Sequence, residues 1–137
     1  GVGGDRARRR VGVPKARRPG VGEVSTGRAI TKINLGGEGE EPSILNQQRR
    51  AVLDPGWRGC RKGDTLEQLA SQGHDFLICP NTALCIADDS VDLVVTNSVR
   101  IDGLVLGEPT VQSSEIRRIL ASGGEWVHDG VARYTKP

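Results

Sequence analysis

Residues 29–41 read Ala-Ile-Thr-Lys-Ile-Asn-Leu-Gly-Gly-Glu-Gly-Glu-Glu. A short alternating run ends at Leu35 and passes straight into Gly36, Gly37 and Gly39. Glycine bends at positive φ and lets the backbone approach a ligand with no Cβ in the way. A strand that turns sharply on glycines is how an open α/β sheet admits a nucleotide at the carboxyl ends of its strands. Most glycine clusters are simply turns, so the chemistry needs partners elsewhere in the chain. Such folds hold the ribose with an acid about 20 residues beyond the glycine turn, and Asp54 suits that rule. Asp54 also precedes Pro55 and Gly56, where aspartate is an ordinary turn former. Metal chemistry is not indicated. Cys60, Cys79 and Cys85 lack CxxC spacing and read as buried free thiols. Asp88, Asp89 and Ser90 read as a surface turn. His74 follows a helix-stopping glycine and reads as solvated.

The elements that must position these residues alternate in type. Residues 30–35 form a first strand, and residues 42–48 a short helix with Pro42 in its first turn. Residues 51–53 form a second strand, stopped by Asp54-Pro55-Gly56. Asp64 or Thr65 caps a helix through Gln72, with Leu66, Leu69 and Ala70 on one face and Gly73 as its stop. Residues 76–79 and 91–96 are continuous apolar runs, as central strands covered on both faces require. Ser113 or Ser114 opens a last helix with Ile116, Ile119 and Leu120 inward, Arg117 and Arg118 outward, and Gly123-Gly124 as its end. Residues 125–128 and 131–135 give a fifth strand, with Trp126 in the core, and a sixth. The pattern predicts an α/β fold: a minimal Rossmann-like, mostly parallel sheet of five to six strands with flanking helices.

A chain of 137 residues has the length of one domain. It carries 19 basic and 17 acidic residues; eight of the bases and two of the acids fall in residues 1–28, leaving 11 against 15 beyond. The basic, Gly- and Pro-rich stretch 1–28 therefore reads as a flexible arm, and 29–137 as the folded domain. The arm is suited to phosphates of a nucleic acid, or is only a solvated tether, since no aromatic residue stands among its arginines to stack on bases. No apolar run approaches the roughly 18–20 residues of a membrane span. The chain contains no Met, as expected for an excised piece of something longer.

Two stretches then carry a family likeness. Asp88-Asp89-Ser90-Val91-Asp92-Leu93-Val94 and Glu115-Ile116-Arg117-Arg118-Ile119-Leu120-Ala121-Ser122-Gly123-Gly124 resemble class I S-adenosylmethionine-dependent methyltransferases. The order continues backward. Residues 33–39 fall at the glycine-rich cofactor motif, Leu53-Asp54 at the acidic end of the second strand, and residues 81–84 at the adenine contact. The likeness spans roughly residues 29–128. Three positions differ from the family pattern: Asn34 stands where an acid is usual, and Glu38 and Glu40 stand among the glycines.

The resemblance implies S-adenosylmethionine as cofactor. Amides of Gly36, Gly37 and Gly39 would lie along its methionine part, Asp54 would accept from its ribose hydroxyls, and Asn81 would meet its adenine. Thr96 and Asn97 would face the substrate, the Asn97 carbonyl orienting an amine nucleophile, and His128 or Asp129 would accept a proton. Asn97 and His128 also have ordinary structural readings, as a loop cap and a core imidazole. Two further functions follow from the same residues. One is a toxin domain from a larger secreted or delivered protein, acting in the cytoplasm and neutralised by an immunity protein. The other is a non-catalytic binding module that has lost the cofactor, as Glu38 and Glu40 suggest.

Overall fold

The computed structural model describes residues 30–42, 44–102 and 110–137. The basic arm and the expectation attached to it lie outside the described residues. The elements are β1 (Lys32–Leu35), β2 (Leu45–Gln48), a 3-10 turn (Arg50–Leu53), α1 (Leu66–Ser71), β3 (Phe76–Ile78), β4 (Val91–Thr96), α2 (Ser113–Ile119), β5 (Leu120–His128) and β6 (Val131–Thr135). One sheet contains all six strands in the order β3-β2-β1-β4-β5-β6. Its pairings are parallel except β5 with β6, which run antiparallel. The expected α/β class and mostly parallel six-stranded sheet are therefore present, with few helices around them. Among the described residues no helix is long and apolar enough to cross a membrane.

Paired residues of parallel strands point to the same side, so the register assigns faces. One row reads Leu45, Ile33, Val94 and Trp126. The next, one step along the same face, reads Leu77, Gln47, Leu35, Thr96 and His128. The opposite face carries Asn46, Asn34 and Val95 side by side. Ile33, Leu35, Leu77 and Val94 join Leu84, Ile86, Ile116, Ile119 and Leu120 in the main core. Each such side chain contributes roughly 1.5–3 kcal/mol on burial.

Three expectations about elements are corrected. The helix expected over residues 42–48 is not there among the described residues: residues 45–48 are strand β2, parallel to β1 and buried along its whole length. Its polar side chains Asn46, Gln47 and Gln48 bond to neighbouring backbone, which a helix here would break. Residues 51–53 are consequently not the second strand but part of the 3-10 turn. The last helix stops at Ile119, and Gly123-Gly124 lie inside β5, which starts at Leu120. A Cβ at Gly124 would stand 2.9 Å from the backbone oxygens of Ala121 and Val91, so the β4–β5 approach requires glycine there.

Candidate functional site

The strand order reverses direction between β1 and β4, whose carboxyl ends adjoin in register at Leu35 and Thr96. In open α/β sheets such a switch point leaves a crevice outside the strand ends. The chain turns there at Gly36 and Gly39, with φ of 67° and 84°, a region that L side chains rarely adopt. Only nine residues separate β1 from β2, and among the described ones none is helical, a shorter link than the dozen or more residues usual between parallel strands.

This turn is held by its own hydrogen bonds. The Gly36 amide donates to Gln47 Oε1 at 3.1 Å, Gly37 to the Asn34 carbonyl at 3.2 Å, Glu38 to Glu40 Oε1 at 2.7 Å and Gly39 to Asn46 Oδ1 at 3.1 Å. Gln48 Nε2 donates in return to the Gly37 carbonyl at 3.0 Å. Side chains fill the space that absent Cβ atoms leave: Val99 at Gly36, Asn34 and Asn46 at Gly37, and His74 at Gly39. His74 is thus half-buried against the turn rather than solvated. The three glycine amides expected to line a cofactor, and that of Glu38 between them, are therefore each paired within the chain.

The glutamates of the turn are also engaged. Both oxygens of Glu38 accept backbone amides, from Cys60 and Arg61, each at 3.1 Å. Its charge thereby faces residues 59–61 rather than the strand ends, and Cys60, expected to be buried, is exposed there. Glu41 Oε2 accepts from Asn97 Nδ2 at 3.0 Å. A carboxylate only accepts, so this contact fixes the amide's orientation and leaves the Asn97 carbonyl facing away from Glu41.

Beyond β4 and β5, Thr96 is wholly buried. Its Oγ1 lies 2.9 Å from Trp126 Nε1 and 2.7 Å from His128 Nδ1. Indole N–H can only donate, so the hydroxyl accepts from Trp126, and its role toward His128 Nδ1 follows the imidazole tautomer. His128 Nε2 lies 3.3 Å from Asp129 Oδ2, and beside this acceptor-only carboxylate the neutral imidazole carries its proton on Nε2, so Nδ1 accepts from the Thr96 hydroxyl. Asp129 Oδ1 meanwhile accepts from the Ser98 amide. The imidazole has no free acceptor nitrogen in this arrangement. Asp129, half-exposed, is the group with remaining acceptor capacity.

The residues singled out in the sequence divide into two places. Gly36, Gly37, Gly39, Asn81, Asn97 and His128 belong to the strand-end region. Asn81 Oδ1 accepts from the same Gln47 Nε2 that holds the Cys79 carbonyl, and Gln47 Oε1 in turn holds Gly36. Asp54 stands apart, closing the 3-10 turn six residues past the end of β2. Its carbonyl accepts the Trp57 amide at 3.0 Å in the expected Asp-Pro-Gly turn. The end of the second strand, where the ribose acid was expected, is occupied by Gln47 and Gln48. These two and Asn46 were missed because a polar run after Pro42 reads as helix. The available signal was the lack of an apolar helical face in residues 42–48.

Comparisons with protein-family models, with curated proteins and with solved structures return no match for this chain.

Proposed function

We propose that the chain is an S-adenosylmethionine-dependent methyltransferase-like domain that takes its cofactor at the carboxyl ends of β1 and β4. The observation that carries the reading is the order reversal between these strands, which sets the glycine turn beside Asn97. The polar groups at these ends fit such a ligand as acceptors. Asn34 Oδ1 is buried and has no donor, the condition that an ammonium or a bridging water relieves. Asn81 retains an amide nitrogen as a donor to an adenine ring, and the Asn97 carbonyl, without a hydrogen bond among the described residues, is left for the substrate. The glycine amides are not part of this fit, because each already has a partner.

When bound, the cofactor supplies an electrophilic sulfonium methyl. The chain's task is then to bind, align and exclude water. Glu41 holds the Asn97 amide so that its carbonyl accepts an N–H of an amine substrate and fixes the direction of the lone pair. Asp129 takes the released proton, while Thr96 and Asp129 together hold His128 in place.

Titration calorimetry with S-adenosylmethionine and its demethylated product tests the reading. Saturable binding of both is expected. Asn97→Ala should leave the affinity unchanged and lower turnover. Asp54→Ala should change neither. Binding of neither ligand would remove the enzyme assignment.

A second reading is favoured by the paired amides of residues 36–39. A turn that satisfies itself needs no ligand to be stable, as a binding module that has lost the cofactor would require. Silence in both titrations is its expected outcome.

A further inference from the structure

A recess of about 380 Å³ lies between the 3-10 turn and α1, away from the strand ends. Leu53, Leu66 and Ala70 supply apolar wall, Trp57 an indole, and Asp54 and Glu67 two carboxylates. It shares no lining residue with the glycine turn, Asn81, Asn97 or His128.

Three observations point to the class of occupant. First, the volume is at the small end of the roughly 300–1,000 Å³ range of ligand pockets. Second, the lining contains two acids and no Lys, Arg or His. Neither Asp54 nor Glu67 has a side-chain hydrogen bond or ion pair among the described residues. Glu67 in the first turn of α1 complements the helix dipole. Asp54 has no such duty, since its turn bond is made by its carbonyl. Third, Leu53 remains 42% exposed at this recess, one of two large apolar side chains so exposed among the described residues.

An apolar wall with an indole and two carboxylates that make no ion pair among the described residues suits one ligand chemistry. We infer that this recess binds a small organic cation, an amine or quaternary ammonium with a short hydrocarbon body. The hydrocarbon part would cover Leu53 and Ala70. The charge would be held by Asp54, Glu67 and the π-face attraction of Trp57. The site is independent of cofactor binding at the strand ends.

The test uses the full chain and a matched pair of probes, choline and 3,3-dimethyl-1-butanol, which differ by a quaternary nitrogen against a quaternary carbon. Heteronuclear NMR follows the Trp57 indole N–H, assigned with Trp57→Phe, and the amides of Leu53 and Ala70. Choline should shift these signals saturably, and the alcohol at equal concentration should not. The double substitution Asp54→Asn, Glu67→Gln should weaken choline binding at least about tenfold, the scale of losing close charge attraction. Unmoved amides of Leu69 and Ile33 would show that the variant is folded. Equal response to both probes, no saturable shift with choline, or full binding by the folded double variant would each overturn the inference. The calorimetry at the strand ends fails or succeeds separately.

Discussion

Thr96 places one hydroxyl between an obligate donor, Trp126 Nε1, and an acceptor, His128 Nδ1. It is fully buried, so water cannot replace either partner. Thr96→Val keeps the shape and removes both bonds. It should destabilise the fold by about 1–3 kcal/mol, the cost of leaving a buried polar group unpaired, read from urea unfolding. Thr96→Ser should recover most of that loss. Nitrogen shifts of His128 offer a second check: the wild type should show Nε2 protonated, and the valine variant should lose that fixed tautomer. With Thr96 at Nδ1 and Asp129 beside Nε2, both ring nitrogens of His128 are engaged, which is why the proposed reaction uses Asp129 as its base. Asn97 gains from its neighbour in the opposite way, because Glu41 engages only its amide nitrogen.

At the scale of elements, the glycine turn and β2 act as one joint. Asn46, Gln47 and Gln48 grip the turn, and the turn in turn closes the short link from β1 to β2. A Cβ on Gly37 would collide with Asn46 Oδ1 and lie 2.6 Å from Asn34 Nδ2. Gly37→Ala should therefore cost about 1–3 kcal/mol by overpacking, measurable as a lower denaturant midpoint. Because those side chains must move, hydrogen exchange at the Gly36 and Gly39 amides should also accelerate. Arg118 does comparable work for α2. It was expected to be a solvated helix face, yet it reaches the carbonyls of Leu84 and Ile86 and the carboxylates of Glu115 and Asp88. Only Arg117 remains exposed. Glu115 accepts the Leu84 amide as well, so it ties the helix to residues 84–88 from both sides. Arg118→Ala should cost about 1.5–3 kcal/mol, as for hydrogen bonds to a charged group. The hydrogen bond to Glu115 raises the pKa of Arg118 in spite of burial, which acts the other way. A raised folded-state value gives stability that is complete below the unfolded value and lost only on passing through the folded one. Arg118 titration should thus leave stability flat across the neutral range, as unfolding at pH 6 and pH 8 would show for this residue's contribution.

For the whole molecule, the sheet order decides where a ligand can sit. The carboxyl ends of β1 and β4 meet at the reversal, and Asn34 leaves a buried acceptor there. A ligand that binds only the folded chain stabilises it by mass action, by about 2.7 kcal/mol at 100 times its dissociation constant. For a domain of this size that corresponds to a rise in Tm of roughly 10 °C or more. S-adenosylmethionine should produce such a shift in a thermal scan, and choline at the α1 recess a separate, additive one. Failure of the first with success of the second would leave a small-cation binder on an α/β scaffold.

Much of this architecture is legible in the residues themselves. Continuous apolar runs at β3 and β4 identify buried parallel strands, Thr65 and Gln68 give α1 its capping box, and Asp54-Pro55-Gly56 turns as read. These are local signals, set by side-chain pattern and by what each residue allows its own backbone. Strand β2 is different. Asn46, Gln47 and Gln48 are strand residues only because their partners, Asp75, Cys79 and the glycine turn, lie beside them after folding. Moving β2 earlier in the chain removed Asp54 from the strand end and left it beside Trp57 and Glu67. The sequence by itself determined β1, β3, β4 and α1 and the place of the bend after Leu35. Only the tertiary structure decided what that bend touches, because hydrogen bonds between distant polar side chains leave no periodic trace along the chain.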